Sequence, residues 1–232
     1  PIEVTVHHPD EISEIFDMVS YAKGATVIRM LANYLGEKDF RDGLRHYLKK
    51  HSYKNTQTKD LWVSFEHISK KPVQKMMMSW TKKTGYPLLT LSKSKNSYAI
   101  SQSRFFSSRI SANRDTEHTL WNVPIKYETN KGDQNLLLTG RNIKIPDTHI
   151  GKINKGESTL ARVRYDIETT ASLHQKITDG TLSAHDRLGI VRDTFALAEG
   201  GYIPTTRALE LATSCTHEKE FIVWAELSSG IH

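Results

Sequence analysis

Residues 73–101, VQKMMMSWTKKTGYPLLTLSKSKNSYAIS, contain the change of period that decides the fold. Before Gly85 the apolar residues Val73, Met76, Met77 and Trp80 recur at spacings of three and four, which gathers them on one face of a helix. After Pro87 the spacing becomes two: Leu89 and Leu91 alternate with Thr90 and Ser92, and Tyr98 and Ile100 alternate with Ser97, Ala99 and Ser101. Such alternation sends successive side chains to opposite faces of a strand. Pro72 suits the first turn of the helix, where its missing N–H has no bond to lose, and Gly85 with Pro87 ends it. A helical section therefore gives way to a β-section near residue 86.

Working upstream, Ala25, Ile28, Leu31, Tyr34 and Leu35 form one helical stripe, and Phe40, Leu44, Tyr47 and Leu48 form another after a break at Gly36. Thr58 is an expected N-cap for a helix carrying Leu61, Trp62, Phe65 and Ile68. A short extended stretch is expected around residues 2–6. Working downstream, Trp121, Val123, Ile125 and Tyr127 share one face of a strand, and Asn130–Asp133 reads as a turn before residues 135–138. Ile143, Ile145 and the segment Leu160–Tyr165 complete the set of short strands. Each strand has one apolar face, so two sheets are expected to bury those faces against each other as a β-sandwich.

After Asp166 the helical period returns. Leu173 and Ile177 belong to a helix closed near Gly180, and Ser183 caps a second carrying Leu188, Val191, Phe195 and Leu197. Ala208, Leu209 and Leu211 mark a third, and Phe221, Ile222, Trp224, Ala225 and Leu227 a fourth. The expected fold is multidomain α+β: helical over 1–86, β-sandwich over 87–166, helical again over 167–232. The last apolar face has no following helix to cover it, so a fragment of a longer protein is expected.

The 232 residues are 38% hydrophobic and 25% charged, an ordinary globular composition. No apolar run approaches the length of a membrane span, and the first residues do not read as a secretory signal. A single cysteine, Cys215, allows neither an internal disulfide nor a thiolate metal cluster, so a cytoplasmic protein is expected. The net charge of +6 is spread thinly, with 14 basic against 10 acidic residues in 1–86 and 13 against 7 in 87–166. No segment has the basic stripe of a phosphate-backbone binder, so neither nucleic acid nor membrane is expected as a partner.

Metal-site spacing is missing. No HExxH occurs, and His217-Glu218-Lys219-Glu220-Phe221 has phenylalanine where the second histidine would stand, so it reads as solvated surface. His7 and His8 point to opposite faces of an extended chain, and His46 and His51 are five apart. No glycine-rich phosphate loop is present, and Cys215 reads as a small packing residue. One polar element asks for explanation: Ser20 is placed to cap a helix, which sets Tyr21 in its first turn. A phenol there can project beyond the helix end and donate to an oxygen that gathers negative charge during attack by water. The plainer alternative, which residue type and position alone favour, is a ring that packs inward with its hydroxyl bonded to nearby backbone. Lys23 and Arg29 are expected to face solvent, with Asp17 favourable beside the helix N-terminus.

FDMVSYAKGATVIR at residues 16–29 resembles the segment that follows the metal site in gluzincin zinc aminopeptidases, with the flavour of the puromycin-sensitive and tricorn-interacting-factor branch. The resemblance continues through YLGEKDFRDGLRHYLKKHSYKNTQTKDLW at 34–62, VQKMMMSWTKKTGYPLL at 73–89, WNVPIKY at 121–127, RVRYD at 162–166 and LSAHDRLGIVRDTFALAEGGY at 182–202. It implies the helical end of a thermolysin-like catalytic domain, then a β-sandwich, then the start of a helical superhelix. It also implies that Tyr21 is the tyrosine that stabilises the tetrahedral intermediate. In the parent enzyme zinc would polarise the peptide carbonyl and bound water, a glutamate would act as base, and acidic groups would hold the free N-terminus of a peptide substrate. The metal motif, the second zinc glutamate and the GxMEN loop belong upstream, so this piece is expected to hold no metal, to lack the catalytic domain that does, and to be inactive alone. The side chains that choose the substrate's first residue are not identified. Residues 154–161 depart from the family pattern and are expected to alter only a surface turn. The rival reading from another class is a non-catalytic structural or interaction module.

Overall fold

The structure is a computed structural model and describes residues 1–4, 6–8, 10, 19–95 and 97–231. Asp17, and with it residues 16–18 of the segment that carries the resemblance, lies outside the described residues. The chain divides into two compact units, Pro1–Thr84 with Trp121–Pro124, and Gly85–Leu120 with Ile125–His232. Among the described residues no helix is long and apolar enough to cross a membrane.

In the first unit a π-helical turn, Val19–Lys23, runs straight into helix α1, Gly24–Leu35. The backbone is thus already helical at Ser20, and the expected cap at that residue is not what begins α1. Helices α2 (Glu37–Lys50), α3 (Thr58–Ser69) and α4 (Val73–Thr81) follow. Gly36, at φ 89°, makes the sharp break between α1 and α2 that a side chain would resist. The buried face of α1 is Val27, Met30, Leu31 and Leu35, whereas Ala25 and Ile28 are exposed, so the expected stripe was rotated. The reason is that both faces of this helix carry apolar residues at helical spacing, and only packing chooses between them. Thr58 is the first residue of α3, with Gln57 at the cap position, where its N–H donates to Asp60 Oδ2 at 2.9 Å. In α4 Val73, Met76, Met77 and Trp80 are all fully buried, as their spacing requires.

The segment Trp121–Pro124 belongs to this unit through α4. The Trp80 indole N–H donates to Asn122 O at 2.9 Å, Asn122 N–H donates to Ser79 Oγ at 3.0 Å, and the Trp80 and Trp121 rings lie 6.2 Å apart.

The second unit contains two open sheets followed by helices. Strands β1 (Pro87–Ser94), β2 (Ser97–Arg104), β5 (Asn142–Ile145) and β7 (Arg162–Arg164) form a four-stranded sheet in the order β5-β2-β1-β7. Strand β1 pairs antiparallel with β2 and parallel with β7. Strands β3 (Val123–Thr129, of which Ile125 onward lies in this unit), β4 (Gly132–Leu138) and β6 (Ile150–Ile153) form the other, in the order β4-β3-β6. Strand β6 escaped the sequence reading because all four of its residues are buried, which removes the alternation that marks a half-exposed strand. A short helix, α5 (Arg109–Asn113), lies between β2 and β3 in the chain.

Helices α6 (Ile167–Thr178), α7 (Ala184–Glu199), α8 (Thr205–Ser214) and α9 (Phe221–Ile231) close the unit. Asp166 and Ser183 cap α6 and α7, accepting from Thr169 N–H and Asp186 N–H. Their core gathers Leu173, Ile177, Ile190, Val191, Leu211, Val223 and Leu227, with Cys215 buried among them. Leu209, Phe221, Ile222 and Trp224, read from sequence as an apolar face, are exposed, and in α9 it is Val223 and Leu227 that point inward.

Candidate functional site

Tyr21 sits in the π-helical turn and is 63% exposed, so its ring is not packed into the helical core. A π-turn holds one residue more than an α-turn and splays the side chains it carries; such turns cluster at functional sites. Lys23, expected to face solvent, instead donates from Nζ to the carbonyl of Lys83 at 2.9 Å, tying the turn to the chain just past α4. One turn further on, Thr26 Oγ1 donates to Ala22 O at 2.7 Å. The phenol is therefore carried on an anchored stretch of backbone. Arg29 is exposed.

Among the described residues no group of three or more His, Cys, Asp or Glu side chains is placed to hold a metal ion. His46 stacks against His67 with ring centroids 4.9 Å apart, and His51 lies against Tyr47 at 5.3 Å. His7 and His8 are exposed. Glu218, read as solvated surface, is instead 1% exposed at its side chain and forms a two-pronged pair with Arg187, at 2.6 and 2.8 Å. Its Oε1 also accepts from the N–H groups of Lys219 and Glu220 at 2.9 Å each. The Arg187 hydrogen bond, joined by those amides and opposed by burial, holds the carboxyl at about 2.

A buried polar cluster of the second unit was missed. Lys152 is completely buried, and its ammonium donates to Ile153 O at 2.8 Å and to Glu157 Oε1 at 2.9 Å. The other oxygen of Glu157 meets Arg192. Asp193, beside it on α7, accepts from Arg162 Nη1 at 3.1 Å and from the Val163 N–H at 3.0 Å, which ties the helix to strand β7. Burial pushes Asp193 up to about 6, reinforced by Glu157 and opposed by Arg162, Arg192 and Lys152. Burial also works against charge on Lys152, yet Tyr165, Glu157 and Asp193 together hold it above its ordinary value.

This cluster overturns the expectation of a surface turn at residues 154–161. Asn154 is fully buried in a left-handed conformation at φ 56°, and its side chain both accepts from Thr159 N–H at 2.8 Å and donates to Thr159 O at 3.0 Å. Gly189 makes room for it: a Cβ there would stand 1.8 Å from Glu157 Oε1. One signal was available in sequence, a lysine set between a glycine and an isoleucine in Ile150-Gly151-Lys152-Ile153, since a charge inside an apolar strand demands a partner.

Two family descriptions match the chain: the peptidase family M1 domain over residues 1–80 and the ERAP1-like C-terminal domain over residues 151–232. The chain is 36% identical over 234 residues to aminopeptidase 2, mitochondrial, of Saccharomyces cerevisiae, covering 100% of this chain and 24% of that protein. It is 36% identical over 247 residues to glutamyl aminopeptidase of Bos taurus, covering 100% and 25%. It is 34% identical over 231 residues to tricorn protease-interacting factor F2 of Thermoplasma volcanium, covering 100% and 28%. The chain spans about a quarter of the length of these relatives.

Proposed function

The chain belongs to the M1 family of gluzincin aminopeptidases, and from that premise we propose that it is part of a zinc aminopeptidase that removes N-terminal residues from peptides. We assign Tyr21 the role of hydrogen-bond donor to the oxygen that gains charge when water attacks the scissile carbonyl. The observation that carries this assignment is the 63% exposed phenol on an anchored π-helical turn in the part matched by the M1 domain. A donor fixed in place ahead of the reaction stabilises developing charge without reorganising during it. Among the described residues no three His, Cys, Asp or Glu side chains are placed together to hold a metal ion, and in this reading other residues of the enzyme hold the zinc. The chain's own contribution is to hold and aim the phenol. A thermolysin-like origin for the first helices, sandwich packing of the two sheets, a superhelical continuation of the last helices, boundaries near residues 86 and 166, the tricorn-interacting-factor branch and a cytoplasmic setting are parts of the same proposal.

Two measurements test it. Tyr21→Phe in the longer enzyme is expected to lower kcat about 100-fold, the cost of losing one oxyanion donor, with KM little changed and the fold intact. This chain alone is expected to release no N-terminal residues from peptides with or without added zinc. Unchanged turnover in the variant would return Tyr21 to a packing role. Zinc-dependent hydrolysis by the pure chain would show that it carries a metal site after all. A non-catalytic interaction role is favoured by one observation, the exposure of Phe221 (82%) and Trp224 (49%) on α9. Mixing the chain with the separately produced metal-holding part separates the readings: recovered peptidase activity supports the enzyme, and tight binding to an unrelated partner supports the module.

A further inference from the structure

In the second unit, strand β7 and helices α6, α7 and α8 surround a cleft of about 490 Å³. That volume is within the range of small-molecule sites, about 300–1,000 Å³. Its walls are apolar: Leu173 from α6 and Ile190 and Leu197 from α7 are all buried. Ile167, which also lines the cleft, is 77% exposed, an apolar side chain left facing water where the cleft opens.

Two arginines, a glutamate and a histidine are among the residues that line the same space, and their charges do not cancel. Arg207 pairs with Glu210 at 2.8 Å, so these two neutralise each other. His174 is held below its ordinary value first by burial and then by Arg207, against the pull of Glu210, so its ring is neutral near pH 7. Arg164, from β7, has no ion pair or side-chain hydrogen bond among the described residues. The cleft thus presents apolar walls and one uncompensated guanidinium. A guanidinium matches a carboxylate oxygen for oxygen, and the pairing is among the stronger hydrogen-bonded contacts available.

We propose that this cleft binds an amphipathic monocarboxylate, an apolar chain or ring that lies against Leu173, Ile190 and Leu197 while its carboxylate pairs with Arg164. The arrangement requires both halves of the ligand. A purely apolar molecule would leave the guanidinium unpaired, and a small hydrophilic anion would gain nothing from the walls.

The test uses octanoate, 1-octanol and octylammonium as probes, each titrated into the chain by isothermal calorimetry. Octanoate is expected to bind at one site, with octanol at least ~10-fold weaker, because a hydrogen bond to a charged group contributes about 1.5–3 kcal/mol and 1.4 kcal/mol is tenfold. Octylammonium is expected to be weaker still. Arg164→Ala is expected to weaken octanoate ~10-fold or more and leave octanol unchanged. Ala171 is exposed at the cleft, so Ala171→Trp fills the space without disturbing a buried core and is expected to abolish binding of both. Circular dichroism checks that each variant is folded. If Arg164→Ala does not fold, the octanoate-to-octanol comparison on the unaltered chain still decides. Equal affinity for octanoate and octanol, octanoate binding unaffected by Ala171→Trp, or no octanoate binding at millimolar concentration overturns the proposal.

Discussion

Replacing Glu218 by glutamine removes one negative charge and keeps nearly the same shape. The carboxylate it removes is 1% exposed, is gripped by Arg187 at 2.6 and 2.8 Å, and accepts two backbone N–H groups at the start of α9. The magnitude follows by two routes. The fall from 4.5 to about 2, at 1.36 kcal/mol for each tenfold step in acidity, makes the ionised form's contribution to folding about 3 kcal/mol. Breaking a buried pair by removing one partner costs about 3–5 kcal/mol, because the remaining charge is stranded. Glutamine retains some of the hydrogen bonds, so the lower figure applies.

The pH dependence has a definite sign. The folded protein favours ionised Glu218, so its contribution is fully present above the unfolded value near 4.5 and is lost as pH falls through about 2. Urea denaturation followed by far-ultraviolet circular dichroism, at a series of pH values from neutral to acid, measures both effects. Glu218→Gln is expected to be less stable by about 3 kcal/mol at pH 7, with the gap to the unaltered chain closing between pH 4.5 and 2. A gap below about 0.5 kcal/mol at pH 7, the range of ordinary surface substitutions, refutes the reasoning. So does a gap that stays constant on acidification.

Gly189→Ala is expected to lower stability by about 1–3 kcal/mol, the usual range for overpacking, because the new Cβ falls 1.8 Å from Glu157 Oε1; urea denaturation checks it. Lys152→Met is expected to cost about 3–5 kcal/mol, since it strips the buried Glu157 of one of its two cations. In that variant hydrogen exchange is expected to quicken first in β6 and in α7 near Arg192 and Asp193, and uniform protection would count against a local network.

Local pattern identified most elements because backbone hydrogen bonding and side-chain periodicity are properties of short stretches. The face made by Val73, Met76, Met77 and Trp80, the caps at Asp166 and Ser183, and the switch to strands after Pro87 all follow from neighbours within a few positions. Where both faces of a helix carry apolar residues, as in α1 and α9, spacing left the buried side undecided. Strand β6 was invisible for a related reason, since burial on both faces leaves no alternation to read.

The site divides the same way. Tyr21 was singled out by its place at a helix start and given a role by the resemblance of the segment around it, but its exposure and the π-turn that carries it exist only once the backbone has folded. Glu218 and Arg187 stand 31 positions apart, and Lys152, Glu157, Arg192 and Asp193 come from three different stretches of chain. By itself, then, the sequence determined most of the order of helices and strands, though not β6 or α5, and drew attention to the phenol at Tyr21. The tertiary structure decided which charges are buried together, because the energy of a buried ion depends on partners that distant segments bring to it.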